Sequence, residues 1–301
     1  MARVLVTGAS GFVGRQVLEQ LRLGGFEVHG VCSQPPPTAA AELCWHVVDL
    51  LQPGAAAELM DRVRPQLLLH LAWCAKPGAY WSSPENLQWV RASLDLLDAF
   101  RANGGQGAVV AGTCAEYDWR HGWCQEDLTP LVPASIYGRC KNATRELAEV
   151  FAQVHGIPVA WGRIFQVYGP GEAPGRLIPA VIGALLRDEP ARCSHGQQWR
   201  DFIHVQDVAQ ALVVLLQARA SGAFNIGNAQ PVRLQTVVEH LAMRLDAADR
   251  VQLGALAAPA DDPPLVVADN RRLRALGWQP QFDLQGGLDD TLAWWRRQNL
   301  I

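Results

Sequence analysis

Several features are missing from this sequence, and each absence narrows its function. No apolar run reaches the ~18–20 residues that span a bilayer, so no membrane association is expected. No basic stretch is longer than Arg271-Arg272 or Arg296-Arg297, and the 26 Lys and Arg residues are outnumbered by 29 Asp and Glu. Nucleic-acid binding normally needs a basic face, so no nucleic-acid partner is expected. No C-x-x-C pair occurs. The seven cysteines (Cys32, Cys44, Cys74, Cys114, Cys124, Cys140 and Cys193) are scattered and odd in number. They suit neither a zinc cage nor a secreted disulfide framework, and no metal site is expected. The start, Met1-Ala2-Arg3-Val4, runs into a strand pattern without a signal-peptide layout. Charged residues make up only 18% of the 301 residues against 49% hydrophobic, which excludes a disordered chain. What is left is a reduced, cytoplasmic, globular protein.

The first two-thirds alternates short apolar runs with longer helical patterns, the order of parallel strands joined by crossover helices. Strands are expected at 3–7, 27–31, 45–49, 66–72, 107–113 and 158–163. Several are continuously apolar, as strands covered on both faces should be. A helix is expected over 83–100, capped by Ser83, with Pro84 in its first turn and Leu87, Val90, Leu94 and Leu97 on its apolar face. After residue 164 Gly and Pro cluster and the elements shorten. The expected division is a parallel-sheet domain over 1–163 and a smaller lobe over 164–301, with 201–226 returning to the first domain.

The first strand ends in Thr7-Gly8-Ala9-Ser10-Gly11-Phe12-Val13-Gly14 and opens a helix. Glycines there let the backbone turn sharply and approach a pyrophosphate. The helix N-terminus offers free N–H groups and a partial positive charge. Gly8, Ser10, Gly11, Phe12, Val13 and Gly14 are therefore expected to hold a dinucleotide.

The spacing G-x-x-G-x-x-G resembles that of the extended short-chain dehydrogenase/reductases. That resemblance implies a Tyr-x-x-x-Lys on a helix, preceded by a Ser or Thr at a strand end. Tyr137-Gly138-Arg139-Cys140-Lys141 and Thr113 fill both requirements in the correct order. Residues four apart share a helix face. A phenol has an ordinary pKa near 10, and a neighbouring ammonium with an oxidised nicotinamide would lower it. Tyr137 would then exchange a proton, Thr113 would hold the same substrate oxygen, and Lys141 would also meet the nicotinamide ribose.

The resemblance runs through nearly the whole chain and points to the nucleotide-sugar epimerase/dehydratase/reductase group. It places Asp49 and Leu50 beside the adenine and Leu71 and Ala72 along the cofactor. Arg163-Ile164-Phe165-Gln166-Val167-Tyr168-Gly169-Pro170 is similar to an R-x-x-N-x-Y-G-P element, which makes Gln166 a substrate contact. Arg200-Asp201-Phe202-Ile203-His204-Val205 is similar to an R-D-F-I-H-V element, in which Arg200 would grip the substrate diphosphate. Arg176 and Leu177 fall where the group lines its nucleotide pocket. Lys76, in the loop after the fourth strand, could meet a phosphate. The group also implies a homodimer through the helices near 83–100 and 137–154.

Departures from the pattern narrow the reading. Sugar 4,6-dehydratases of the group carry Asp-Glu directly after the threonine, where Cys114 and Ala115 stand here. Trp89 occupies a slot that often holds Asn, and Asn86 lies one turn earlier. The second strand ends without the carboxylate that selects NAD, which favours NADP over NAD, with Ser33 able to bond either. The expected fold is a Rossmann-type doubly wound parallel sheet with a smaller C-terminal substrate-binding lobe. The expected function is reduction of a nucleotide-linked 4-keto-6-deoxy sugar at C4. The alternatives are a C4 epimerase that retains NAD and a non-catalytic dinucleotide-binding protein. The nucleotide (GDP, dTDP, CDP or UDP) stays open.

Overall fold

The computed structural model describes residues 1–35, 43–74 and 76–298. In chain order the strands are β1 (Arg3–Thr7), β2 (Glu27–Cys32), β3 (Cys44–Val47), β4 (Leu67–His70), β5 (Gly107–Thr113), β6 (Trp123–Cys124), β7 (Val159–Ile164), β8 (Gln166–Tyr168), β9 (Ala191–Arg192), β10 (Trp199–His204), β11 (Gly222–Ile226), β12 (Pro231–Arg233), β13 (Val251–Gln252) and β14 (Leu265–Ala268). The helices are α1 (Phe12–Leu23), α2 (Ala55–Val63), α3 (Glu85–Ala102), α4 (Ile136–His155), α5 (Leu177–Leu186), α6 (Val205–Gln217), α7 (Leu234–Arg244), α8 (Arg271–Arg274) and α9 (Leu284–Arg297).

The fold is α/β, with a central parallel sheet of seven strands in the order β11-β7-β5-β4-β1-β2-β3 and helices on both faces. Strands β4 and β5 are buried at every position, which explains their unbroken apolar runs. On one face α1 and α6 pack together over Val4, Val6, Leu69 and Val109. On the other, α2, α3 and α4 cover Leu5, Leu68, Ala108 and Val110. The strand order reverses between β1 and β4. Ligands of open α/β sheets bind at such a switch point, beyond the carboxyl ends of the strands.

A second sheet, β12-β10-β14-β6 with β8 beside β10, supports the later lobe. Its core gathers Ile178, Val181 and Ile182 of α5, Val237 and Leu241 of α7, and Leu288, Leu292 and Trp295 of α9. Strand β11, although late in the chain, lies at the edge of the main sheet beside β7.

Helix α3 corrects one expectation. Leu87 is 66% exposed, whereas Asn86 and Ser93 are fully buried. Leu97 of the expected row is buried beside Leu96 and Phe100, while nearer the helix start Asn86 and Ser93 take the inner face in place of Leu87.

Candidate active site

The carboxyl ends of β1, β4, β5 and β7 open into a cleft of about 460 Å³. Its first wall is the turn between β1 and α1. Gly11 caps α1 without a side-chain bond, so the first-turn N–H groups face the cleft unblocked. A Cβ on Gly14 would fall 2.2 Å from the Gly8 carbonyl oxygen, so no larger residue lets the helix approach the turn this closely. An uncapped helix N-terminus against a glycine cradle fits a pyrophosphate. Gly8, Ser10, Gly11, Phe12, Val13, Gly14, Ser33, Asp49, Leu50, Leu71 and Ala72 all line the cleft.

A buried relay fixes the adjoining strand end. The N–H groups of Leu71 and Ala72 each donate to Thr7 Oγ1 at 3.2 Å. Thr7 Oγ1 lies 2.6 Å from His70 Nδ1, and His70 Nε2 lies 2.9 Å from Ser93 Oγ. Ser93 Oγ donates to the Trp89 carbonyl at 2.7 Å. With its proton so committed, Ser93 accepts from His70 Nε2–H, and Nδ1 accepts from Thr7. The imidazole is therefore neutral, and burial holds its pKa down at about 3.

Thr113, Tyr137 and Lys141 share this cleft with the glycine turn. Thr113 ends β5, and Ser135 caps α4 by accepting from the Gly138 N–H at 3.0 Å. Gly138 lets α4 approach the threonine turn, because a Cβ there would sit 2.3 Å from the Ala115 carbonyl oxygen. Burial has the largest effect on the Tyr137 phenol and raises its pKa, against the opposing pull of the Thr113 hydroxyl. Tyr80 and Trp81 press edge-on against the phenol ring, with centroids 4.9 and 5.8 Å away. Burial thus holds the Tyr137 phenol above its ordinary value in the ligand-free site. Lys141 does not act as a bare ammonium either. Its Nζ donates to the Ala111 carbonyl at 2.8 Å and lies 3.8 Å from the centroid of Trp73. Burial lowers its pKa to about 7, against the opposing pull of the Glu116 carboxylate.

Two buried carboxyls emerge that the sequence reading did not assign. Glu116 is completely buried. One carboxylate oxygen accepts from the Thr113 N–H and Trp161 Nε1, both at 2.8 Å, and the other accepts from Arg163 Nε at 2.7 Å. Thr113 and Glu116 form a capping box, and the T-x-x-E spacing was a signal that could have found it. Glu172, in the loop after β8, lines the cleft with an 8% exposed side chain. No local pattern marks it.

Asn86 does not replace the asparagine missing at Trp89 by reaching the reactive phenol. Its Oδ1 accepts from Trp73 Nε1 at 2.7 Å, and its Nδ2 donates to the Tyr80 and Ser83 carbonyls at 2.8 Å each. It ties Trp73 to Tyr80 and Ser83 instead, while Trp89 itself lines the cleft.

Gln166 and Arg176 line the cleft, but Lys76, Leu177 and Arg200 do not. Lys76 is exposed on the loop. Leu177 packs into the core of the second lobe. Arg200 is buried and paired, with Nη2 2.5 Å from Asp262 Oδ1 and Nη1 donating to the Trp199 and Pro263 carbonyls at 2.8 Å. Asp207, in the first turn of α6, does not cap that helix, whose N-cap is His204. Its carboxylate accepts from the N–H groups of Gln281 and Phe282, tethering the later chain.

A glycine turn at the switch point and a Tyr-x-x-x-Lys helix facing it define an extended short-chain dehydrogenase/reductase. The chain belongs to the NAD dependent epimerase/dehydratase family, whose family model matches residues 4–227. It is 26% identical to CDP-abequose synthase of Salmonella typhimurium, over 96% of this chain and 97% of that protein. It is 25% identical to UDP-glucuronate 4-epimerase of Thermodesulfobacterium geofontis, over 98% and 96%. Among solved structures, MoeE5 in complex with UDP-glucose and NAD is 32% identical, with 99% of each chain covered and a TM-score of 0.85. Thermus thermophilus UDP-glucose 4-epimerase with NAD is 25% identical, with 98% and 99% covered and a TM-score of 0.85. The protein is an enzyme of this nucleotide-sugar class. Among the described residues no helix is long and apolar enough to cross a membrane.

Proposed function

We propose that the enzyme works at C4 of a nucleotide-linked hexose, and that its reaction is reduction of a 4-keto-6-deoxy sugar. The observation that carries this reading is the Thr113–Tyr137 pair beside Lys141, facing the glycine turn across one cleft. A bound nicotinamide supplies hydride exchange with C4. Tyr137 gives its proton to O4, and its high resting pKa keeps that proton available at neutral pH. Thr113 steadies the same oxygen, held in place by Glu116 through the Thr113 N–H. Lys141 faces the nicotinamide ribose once its bond to the Ala111 carbonyl is exchanged. Cys114 and Ala115 supply no acid or base for dehydration. Arg200 meets the diphosphate only after leaving Asp262.

A second reading, C4 epimerisation with retained NAD, uses the same residues. Its support is the likeness to 4-epimerases solved with NAD. On the cofactor, the end of β2 carries no carboxylate, which admits NADP, but Arg15 is turned back onto the Ser10 carbonyl at 2.8 Å. With no arginine lining that end of the cleft among the described residues, we take NAD first and NADP second. We also propose a homodimer through α3 and α4, whose Leu87, Leu147, Val150 and Val154 are exposed. The cofactor lobe is taken as 1–163 together with 201–226. Cysteines without a disulfide suit a reducing compartment, and we take it to be the cytoplasm.

The test is purified enzyme with matched substrates. Stoichiometric NAD(P)H consumption with a 4-keto sugar nucleotide supports reduction. Turnover without added cofactor, from protein that carries NAD, supports epimerisation. Tyr137→Phe is expected to lose about 10²–10⁴-fold in kcat, and full activity in that variant would defeat both readings.

A further inference from the structure

Glu172 is a carboxyl that the fold does not use. It follows the Gly169-Pro170-Gly171 turn, with its N–H donating to the Gly169 carbonyl at 3.2 Å. The side chain is more than nine-tenths buried, yet Oε2 has no hydrogen-bond partner. The other oxygen lies 3.9 Å from Arg176 Nε, too far for a hydrogen bond. A residue with only a packing role here would be apolar, since an unsatisfied buried carboxyl destabilises the protein.

Its position links it to the chemistry. Arg176 Nη1 lies 3.4 Å from the Tyr80 hydroxyl, and the Tyr80 ring packs against Tyr137. The carboxyl is therefore one arginine and one tyrosine away from the reactive phenol, on the side of the cleft formed by Gln166, Val167 and Ala173. We propose that Glu172 determines sugar specificity: its free oxygen takes a hydroxyl or amino donor of the bound sugar and disfavours a sugar that carries a carboxylate. This rests on the nucleotide-sugar reading above.

Charge supports the exclusion. Among the described lining residues the cations are Lys141 and Arg176. Lys141 is committed to Ala111 and Trp73, and Arg176 already has the Glu172 carboxyl as its neighbour. A sugar carboxylate would find no uncommitted cation among these residues, and beside the Glu172 carboxyl one of the two groups would have to stay protonated. Burial already pushes Glu172 up to about 8, so the group gains most from a donor that arrives with the substrate. Relatives include both a CDP-abequose synthase and a UDP-glucuronate 4-epimerase, so similarity alone does not choose the sugar.

The experiment measures calorimetric affinities of NAD-loaded enzyme for matched glucose and glucuronic acid pairs on UDP, dTDP, CDP and GDP. At least one pair is expected to bind, with the glucose member at least tenfold tighter. Glu172→Gln and Glu172→Ala are expected to bring the two members within about threefold, with melting temperature and NAD affinity checking that each variant folds. Equal wild-type affinities, or a ratio unmoved in both folded variants, would overturn the role of Glu172 and leave the nucleotide-sugar reading standing. If NAD binds but no pair does, that reading falls and this inference with it. The wild-type ratio decides the matter if neither variant folds.

Discussion

Replacing Glu116 by Gln keeps the shape of the side chain and removes its charge. Arg163 is 1% exposed and pairs with Glu116, while its Nη1 donates to the Tyr117 hydroxyl at 2.8 Å. Without the carboxylate, a guanidinium is left buried beside an amide that offers a donor where an acceptor stood. Breaking a buried pair from one side costs about 3–5 kcal/mol, a large share of the roughly 5–15 kcal/mol that holds a typical domain together. The single amide oxygen can serve either the Thr113 N–H and Trp161 Nε1 or Arg163 Nε, but not both sides. Misplacement of the Thr113 hydroxyl by about 1 Å should cost roughly 10²-fold in turnover. Urea unfolding should show a lower midpoint with an unchanged slope, alongside a fall in kcat on the accepted sugar nucleotide. Replacing both partners by apolar residues, Glu116→Leu with Arg163→Met, should recover much of the stability and none of the turnover. A loss below about 1 kcal/mol with full turnover in Glu116→Gln would refute the reasoning, because the buried charge would then not need its partner.

Gly14→Ala should abolish measurable NAD binding in a fluorescence titration, since its Cβ would overlap the Gly8 carbonyl. His70 stays neutral down to about pH 3 in the fold, while the unfolded chain takes up a proton near 6.5. Its contribution therefore falls as pH drops from 6.5 towards 3, and thermal melts of His70→Asn should lose part of that acid sensitivity. Lys141 has the opposite window. Its folded value of about 7 lies below its ordinary 10.5, so the fold gains stability as pH rises between those values. Lys141→Met should raise stability at neutral pH by about 1–4 kcal/mol, with the gain shrinking towards pH 10, and should lose turnover. Melting curves across pH check this.

The parts of the site that were legible in sequence are those determined within a few residues. The run Arg3–Thr7 followed by three spaced glycines specifies a buried strand, a turn and a helix start by local sterics alone, and it appears as read. Strand β5 matches its expected span because every position is apolar or small between two covering layers. Tyr137 and Lys141 point into one cleft because four residues make about one helical turn. What was not legible depends on pairing across long separations. Arg200 turns from the cleft because Asp262, 62 residues later, reaches it first. Helix α3 rolls Leu87 outward because Asn86 and Ser93 have partners in Tyr80 and His70. The pKa of Tyr137 moves upward because Tyr80 and Trp81 fold over it from another loop. In each case the local pattern is outweighed by a buried polar or aromatic group whose partner lies on another element or loop. Such a group loses more by remaining unpaired than an exposed leucine loses by meeting water. The same comparison makes Glu172 informative: it is buried like the others, lies against the reactive cleft, and has one oxygen that the protein does not satisfy.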